Sequence, residues 1–294
     1  MSGDSPAPSP PKLPGDRAHL ERLLDTWARE PTVKATAGRL RNVVSSLVVV
    51  GMIEEVVDAQ GDARIALKGG RALELRFGLM ARASADFDAA YRGSIQTVLS
   101  GIAVAAQNGW RGFVGVLGEV QEITRAGITP SPVRVPLRLT YKGKPFATVP
   151  LEFSAAEGRS LDRLEVATIA ISLSPVHLPG PTTATFLPLR YQVAQKLHAC
   201  TEVPAEGSNR RVHDLHDLLL IRELAVRPED QPAIAAACRE IFEGRAKHPW
   251  PPEITVWPDW EVAWTALRDR EGADMTLDEA VEQVRAWIAE LASM

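Results

Sequence analysis

The stretch LKGGRALELRFG at residues 67–78 decides the fold expected for this chain. Its glycine pair, Gly69-Gly70, follows the apolar residues 63–67 and precedes the largely apolar residues 72–77, so the pattern predicts a strand, a tight turn and a helix. A turn of two glycines lets backbone N–H groups approach a phosphate chain closely, and the N-terminus of the next helix adds a favourable field. The stretch therefore predicts a phosphate-binding turn.

The following stretch RASADFD, residues 82–88, ends in two aspartates, Asp86 and Asp88. Residues i and i+2 of an extended segment point to the same side, so both carboxylates can share one face and hold two Mg²⁺ ions. Ser84 adds a hydroxyl beside them. A glycine pair or an Asp-x-Asp pair alone occurs in many ordinary turns and loops. The two in this order predict transfer chemistry on a nucleoside triphosphate (NTP).

These two stretches resemble the first motif of the polymerase-β-like nucleotidyltransferases, and in detail that of their AbiEii/MenT branch of toxins. A second resemblance lies downstream, where VAQKLHA (193–199) and RRVHDLHDL (210–218) are similar to that branch's AEKLHA and R…RDLYDL segments. The resemblance covers residues 60–225. Its departures from the family pattern are Arg71, Ala89 and Gln195, and none of them removes one of the two aspartates that are candidate metal ligands.

The resemblance implies an α+β fold, in which a polymerase-β-like mixed sheet with flanking helices precedes a C-terminal helical bundle. We expect a disordered tail over residues 1–16, which are rich in Pro, Ser, Gly and Asp. A nucleotidyltransferase domain is expected over residues 17–185 and a helical domain over residues 186–294. Residues 168–173 are predicted as a strand, and the Pro-rich residues 174–188 as a linker.

Glu152 is the candidate for a third metal-binding carboxylate. It lies in the predicted returning strand of a hairpin, residues 146–153, between two large apolar residues. Alternation alone places its side chain on the solvent face. The family instead takes a third carboxylate from a strand antiparallel to the Asp-x-Asp strand. The resemblance therefore implies that Glu152 completes the binding of the ion that activates the acceptor hydroxyl.

The downstream motif supplies three more candidate catalytic residues. Lys196 lies among apolar neighbours on a predicted helix, where the resemblance implies that it reaches the triphosphate; the other interpretation is an exposed helical lysine. Asp214 and Asp217 share a face at i and i+3. The resemblance implies that one of them orients Lys196 or the nucleotide, while the other caps the helix or pairs with a neighbouring arginine. The sequence does not say which.

Composition limits the partners. The chain has 294 residues and a formal net charge of −4, so binding of RNA requires a local basic patch. Its two cysteines are far apart and form no zinc or disulfide pattern. The longest apolar run is too short to cross a bilayer, so we expect a cytoplasmic protein without membrane contact. We also expect it to be a monomer. The candidate RNA-binding residues are Arg76, Arg82, Arg210 and Arg211, followed by Lys34, Arg39 and Arg41.

The resemblance implies a toxin of a toxin–antitoxin pair, which uses Mg²⁺ to add nucleotides from NTP to the 3′ end of tRNA and so blocks translation. Its partners would be the tRNA acceptor end and a cognate antitoxin. One alternative keeps the chemistry but changes the acceptor to a protein hydroxyl (AMP transfer) or a small molecule. Another class comprises glycosyltransferases, which the upstream glycine pair disfavours, and non-catalytic nucleotide-binding modules.

Overall fold

A computed structural model describes residues 12–123, 130–271 and 274–294. Within these residues the chain forms one mixed sheet with helices on both faces, so the predicted α+β class is confirmed. The helices are α1 (Arg17–Ala28), α2 (Ala37–Ile53), α3 (Gly69–Phe77), α4 (Ile95–Asn108), α5 (Leu189–Thr201), α6 (His213–Ala225), α7 (Gln231–Arg245), α8 (Trp260–Glu271) and α9 (Leu277–Ala292). The strands are β1 (Ile65–Leu67), β2 (Phe87–Tyr91), β3 (Phe113–Leu117), β4 (Gln121–Glu122), β5 (Val133–Tyr141), β6 (Lys144–Ala155), β7 (Glu165–Thr168) and β8 (Thr183–Phe186).

The described strands lie in the order β3-β5-β6-β2-β1-β8-β7, with β4 paired to β5. Strand β2 pairs antiparallel with β1 but parallel with β6, the strand that carries Glu152. The expected antiparallel relationship between the Asp-x-Asp strand and the Glu152 strand is therefore wrong. A parallel pair requires a crossover connection, and the chain makes one through α4 before β5 and β6 form their antiparallel hairpin.

Residues 165–188 differ from the sequence prediction. Strand β7 ends at Thr168, where the predicted strand begins, and the predicted linker contains β8. Strand β8 pairs with β7 and also with β1, through Leu67 and Phe186. The Pro-rich composition predicted a linker, but the segment contains a short run of alternating exposed and buried residues, in which Ala184 and Phe186 are buried. The predicted boundary between residues 185 and 186 falls inside this strand, and the division into two domains stays a prediction.

Two hydrophobic cores flank the sheet. The first lies between the sheet and α1, α2 and α4, and it contains the inward-facing side chains of β5 and β6. The second joins the other face of β1 and β2, through Ala66 and Ala90, to helices α5 to α9. The predicted apolar stripe of α9, from Leu277 to Leu291, is buried in this second core. The helical part thus packs directly above the strands that carry the aspartates.

The N-terminal segment contacts the sheet before the first helix begins. Pro14 O accepts a hydrogen bond of 2.8 Å from the Tyr141 hydroxyl, and Lys142 Nζ donates to Gly15 O at 3.1 Å. Residues 1–11 of the predicted tail lie outside the described residues. Among the helices of the described ranges, none is both long and apolar enough to span a bilayer.

Candidate active site

The glycine turn brings backbone and carboxylate into close contact, and the predicted strand, turn and helix are present as β1 and α3. Gly69 has a φ of +69°, and a Cβ built there would lie 3.0 Å from Asp88 Cγ and closer still to Oδ2. A Cβ on Gly70 would lie 3.0 Å from Ser84 Oγ. Gly69 therefore excludes a side chain because of both space and conformation, whereas a Cβ at Gly70 would fit only if Ser84 and Arg82 shifted slightly.

The three predicted carboxylates lie together. Asp86 immediately precedes β2, and Asp88 on β2 is directly opposite Glu152 on β6. Between the aspartates, Phe87 is buried in the first core, which turns both carboxylates to the other side of the sheet. Ser84 Oγ donates to Asp86 O at 3.3 Å, so the predicted hydroxyl belongs to the same turn.

Arg134 on β5, which the sequence analysis missed, extends the row across the sheet. It is directly opposite Glu152, and its Nη2 lies 3.0 Å from Glu152 Oε2 and 3.9 Å from Asp86 Oδ1. The signal was available, because a hairpin places residues of opposite charge in register. In this structure Arg134 supplies the positive charge between the two carboxylates.

The carboxylates form a set that a divalent cation would stabilise. Burial raises the pKa of Asp88; the positive charge of Lys68 opposes this rise, whereas Glu152 and Asp86 add to it by repulsion. A set of oxygen donors that repel one another suits Mg²⁺. In the described ranges, no three Asp, Glu, His or Cys side chains lie close enough together to bind one ion as they stand. Arg134 lies between Asp86 and Glu152. The residues thus fit the ion by donor chemistry and by charge.

Lys68 is the second residue that the sequence analysis missed, although it stands inside the first motif. It is half-buried at the N-cap of α3, and among the described residues its ammonium makes no hydrogen bond or ion pair. Burial lowers its pKa, while Asp88 and Glu157 favour its charged form. A charged residue directly before a phosphate-binding turn was the signal that could have identified it.

Lys196 is held at the centre of a buried ionic cluster. Its Nζ donates to Asp214 Oδ1 at 2.8 Å and to Asp217 Oδ2 at 2.6 Å. Burial alone would lower the pKa of Lys196, but the two carboxylates raise it above its ordinary value. The structure does not favour the exposed-lysine interpretation, and both aspartates, rather than one, orient the ammonium.

The predicted RNA-binding arginines separate into two groups. Arg76 pairs with Glu165 at 2.9 Å and stacks over a phenylalanine ring, and Arg82 pairs with Asp217 at 3.0 Å. These two side chains are largely buried and ion-paired, so they are poor candidates for contact with RNA. Arg211 pairs with Asp214 at 2.7 Å but is half-exposed, and Arg210 is exposed.

Among the less certain candidates, Arg39 pairs with Glu74 at 2.9 Å and is largely buried. Arg41 pairs with Glu21, and Lys34 is exposed. Arg39 therefore joins α2 to α3 through this ion pair and is a poor candidate for contact with RNA.

Comparison with known families agrees with this constellation. The model of the AbiEii family, described as a nucleotidyl transferase AbiEii toxin of a Type IV toxin–antitoxin system, matches residues 52–286. The chain belongs to the AbiEii family. It is therefore a nucleotidyltransferase toxin of a type IV toxin–antitoxin system, as the resemblance implied.

The fold of this AbiEii-family toxin is similar to that of MenT4, a nucleotidyltransferase toxin from Mycobacterium tuberculosis H37Rv. The two superpose with a TM-score of 0.53 at 19% sequence identity, over 94% of this chain and 98% of MenT4. At this identity the likeness concerns the fold alone. A comparison with curated proteins finds no match.

One departure of this AbiEii-family chain from the expected pattern has a structural explanation. Arg71 is almost fully buried, pairs with Glu74 and donates a hydrogen bond to Ser84 O. Arg71 thereby ties the segment that leads to Asp86 onto helix α3. Its long side chain replaces a small one, and its positive charge lies within electrostatic range of Asp86.

Proposed function

We propose that this toxin transfers a nucleotide from NTP to the 3′ hydroxyl of tRNA in a Mg²⁺-dependent reaction that blocks translation. The observation that carries the proposal is the order of charges across the sheet. Lys68 lies at the end of β1, the carboxylates Asp88 and Glu152 face each other on β2 and β6, and Arg134 follows on β5. The carboxylates thus lie between two cations. Lys68 would bind the triphosphate, and Arg134 would bind the acceptor.

The triphosphate belongs on the Lys68 side of the carboxylates. The backbone N–H groups of Gly69 and Gly70 begin helix α3 there and can donate hydrogen bonds to the β- and γ-phosphates, with Ser84 adding a hydroxyl. Asp88 also lies within electrostatic range of Lys196 and of the half-exposed Arg211. Fixed cations around the phosphates neutralise the charge that develops on the leaving pyrophosphate.

The acceptor belongs on the opposite side, where Glu152 and Arg134 lie. The acceptor hydroxyl loses its proton to water as its oxygen attacks the α-phosphorus, a new P–O bond forms, and the bond to the bridging oxygen breaks to release pyrophosphate. When bound, two Mg²⁺ ions held by Asp86 and Asp88, one of them also by Glu152, would supply Lewis-acid charge at the attacking and leaving oxygens. The fixed side chains hold both reactants in position.

The acceptor in this proposal is RNA, and the cell would hold a cognate antitoxin, as expected for a toxin–antitoxin family. The test incubates the purified toxin with Mg²⁺, each labelled NTP in turn, total tRNA and total protein. We expect label in tRNA alone, and none with Asp88→Asn, which keeps the shape of the side chain but loses its charge. Label in protein or in a small molecule instead of RNA would refute the tRNA proposal and leave the transferase chemistry intact.

A further inference from the structure

We propose that the uncovered face of β3, β5 and β6 is the surface on which the single-stranded 3′ end of the RNA acceptor lies. This inference rests on the proposed function and adds the path by which the acceptor reaches the site. The surface, here called the open sheet face, consists of the outward side chains of Val114, Val116, Arg134, Arg138, Thr140 and Thr148.

The register of the strands places this surface on the same side of the sheet as the carboxylates. Directly paired residues of neighbouring strands point to the same face, so Asp88, Glu152 and Arg134 form one row. Four residues along β5, Arg138 is paired with Thr148 on β6 and with Val116 on β3. A rise of about 3.3 Å per residue puts this second row about 13 Å from the first. The open sheet face therefore leads directly to Glu152.

Within the described residues, the helices leave this half of the face uncovered. Over β1 and β2 the face is closed by the second core, through Ala66 and Ala90. Beyond β6 it is open, because Val114 is 43% and Val116 54% exposed. The inward side chains of the same strands, such as Leu137 and Leu151, are fully buried. The exposure is thus a property of one face and not of loose strands.

The charges of the three strands favour a polyanion. On the carboxylate side of strands β3, β5 and β6, the charged residues are the cations Arg134 and Arg138 and a single carboxylate, the active-site Glu152. Lys144 is paired with the buried Tyr141 and so belongs to the opposite face. The chain as a whole is acidic, with a net charge of −4. Glu122 on β4 pairs with Val133, so its side chain belongs to the opposite face. Phosphate contacts by Lys and Arg account for most non-specific affinity for nucleic acids.

The remaining residues of the face suit a single strand better than a duplex. Sheet faces and arginine planes are surfaces on which unpaired bases lie and stack. Arg138 makes no side-chain hydrogen bond or ion pair with the described residues, so its guanidinium is available, and the valines beside it offer apolar contact to bases. Arg134 then meets the strand where it arrives at the carboxylates, and the terminal hydroxyl lies near Glu152.

Two matched pairs of substitutions test this inference. Arg138→Glu reverses a charge on the open sheet face, whereas Arg22→Glu makes the same change on α1, on the opposite side of the sheet. Val116→Glu adds a charge to the face, whereas Val262→Glu does so on α8, where that valine is 75% exposed. All four residues are exposed, so the variants should fold, which thermal unfolding checks.

The measurements are binding of tRNA over a range of salt concentrations and binding of a non-hydrolysable NTP analogue. We expect Arg138→Glu to weaken binding of tRNA about tenfold and to reduce the log–log salt slope by about one unit. Val116→Glu should weaken it as well, while the two controls and all binding of the NTP analogue stay unchanged. A tRNA that lacks its single-stranded 3′ end should bind wild type and Arg138→Glu equally.

The outcomes separate this inference from the proposed function. If wild type labels tRNA but Arg138→Glu and Val116→Glu bind tRNA as their controls do, the open sheet face is refuted and the function stands. If wild type labels no RNA while its binding of RNA depends on Arg138, the function is refuted and the face stands. Absence of both labelling and binding refutes both.

Discussion

The carboxylate of Asp88 rests directly on the backbone of Gly69, so closely that a Cβ on the glycine would lie 3.0 Å from Asp88 Cγ. The backbone N–H of Lys68 also donates to Asp88 O at 3.0 Å. The glycine turn and the aspartate pair are therefore one structural unit. A change in the turn is transmitted to the position of the carboxylate without any intervening side chain.

Gly69→Ala should abolish transfer while the protein remains folded. The added Cβ displaces Asp88, and a misplacement of about 1 Å can reduce a rate about 100-fold. The residue has a φ of +69°, so some stability is lost as well. Gly61→Ala is the matched control, because Gly61 has a φ of +86° with nothing within 4 Å. Thermal unfolding should show destabilisation of both variants, larger for Gly69→Ala because of its contact with Asp88, and transfer assays should show loss of activity only for Gly69→Ala.

Lys68→Ala should weaken binding of NTP, because the ammonium at the turn would no longer meet the phosphates. Hydrogen bonds to charged groups contribute about 1.5–3 kcal/mol, so we expect the dissociation constant of a non-hydrolysable NTP analogue to rise tenfold or more. Lys68→Arg should recover most of this loss. Calorimetry measures it, with exposed Lys34→Ala as control. Unchanged affinity in Lys68→Ala would exclude Lys68 from the nucleotide site.

Lys196→Met should destabilise the fold. It leaves Asp214 and Asp217, both with no exposed surface, without the ammonium that lies between them. Removing one partner of a buried ionic group costs about 3–5 kcal/mol. Urea unfolding measures the loss, and adding Asp214→Asn to Lys196→Met should recover part of it. If Lys196→Met unfolded at the same urea concentration as wild type, the cluster would contribute no stability.

The stability of the protein should fall as the pH drops below 6.5. Burial, together with the nearby positive charges of Arg245, His248 and Lys247, lowers the pKa of His198 to about 3. The unfolded chain therefore binds a proton near pH 6.5 that the folded chain does not bind until about pH 3. Stability is complete above pH 6.5 and is lost as the pH falls through this window, by up to about 1.4 kcal/mol per pH unit and proton.

Two substitutions isolate the contribution of His198. His198→Phe keeps the packing on Phe242. Between pH 6 and pH 4.5 it should reduce the slope of the unfolding free energy against pH by the contribution of one proton, about 1.4 kcal/mol per pH unit. His213, whose pKa burial lowers to about 4, retains part of the slope. His177→Asn changes an exposed residue and should leave the slope as in wild type. An equal slope in His198→Phe and wild type would contradict this assignment.

The local elements could be predicted from the sequence because their causes are local. The glycine turn, the extended Asp-x-Asp segment and the apolar stripe of α9 each follow from residues that are neighbours along the chain. The parallel placement of β6 and the entry of β8 into the sheet could not be predicted in the same way. Both depend on backbone hydrogen bonds between segments that are distant in the sequence. The alternation of side chains within one strand does not tell which other strand it pairs with, or in which register.

For the charged residues, too, the sequence decided some properties and the tertiary structure decided others. From the sequence alone, the spacing of Asp86 and Asp88 predicted a carboxylate pair, and the resemblance to the family motifs implied that Lys196, Asp214 and Asp217 belong to the same site. Only the tertiary structure decided the partner of each charge. Arg82 is taken up by Asp217, 135 residues away, while Lys68 is left to face Asp88. Ion pairs form where folding brings charges together and excludes water, and no periodicity along the chain records that distance.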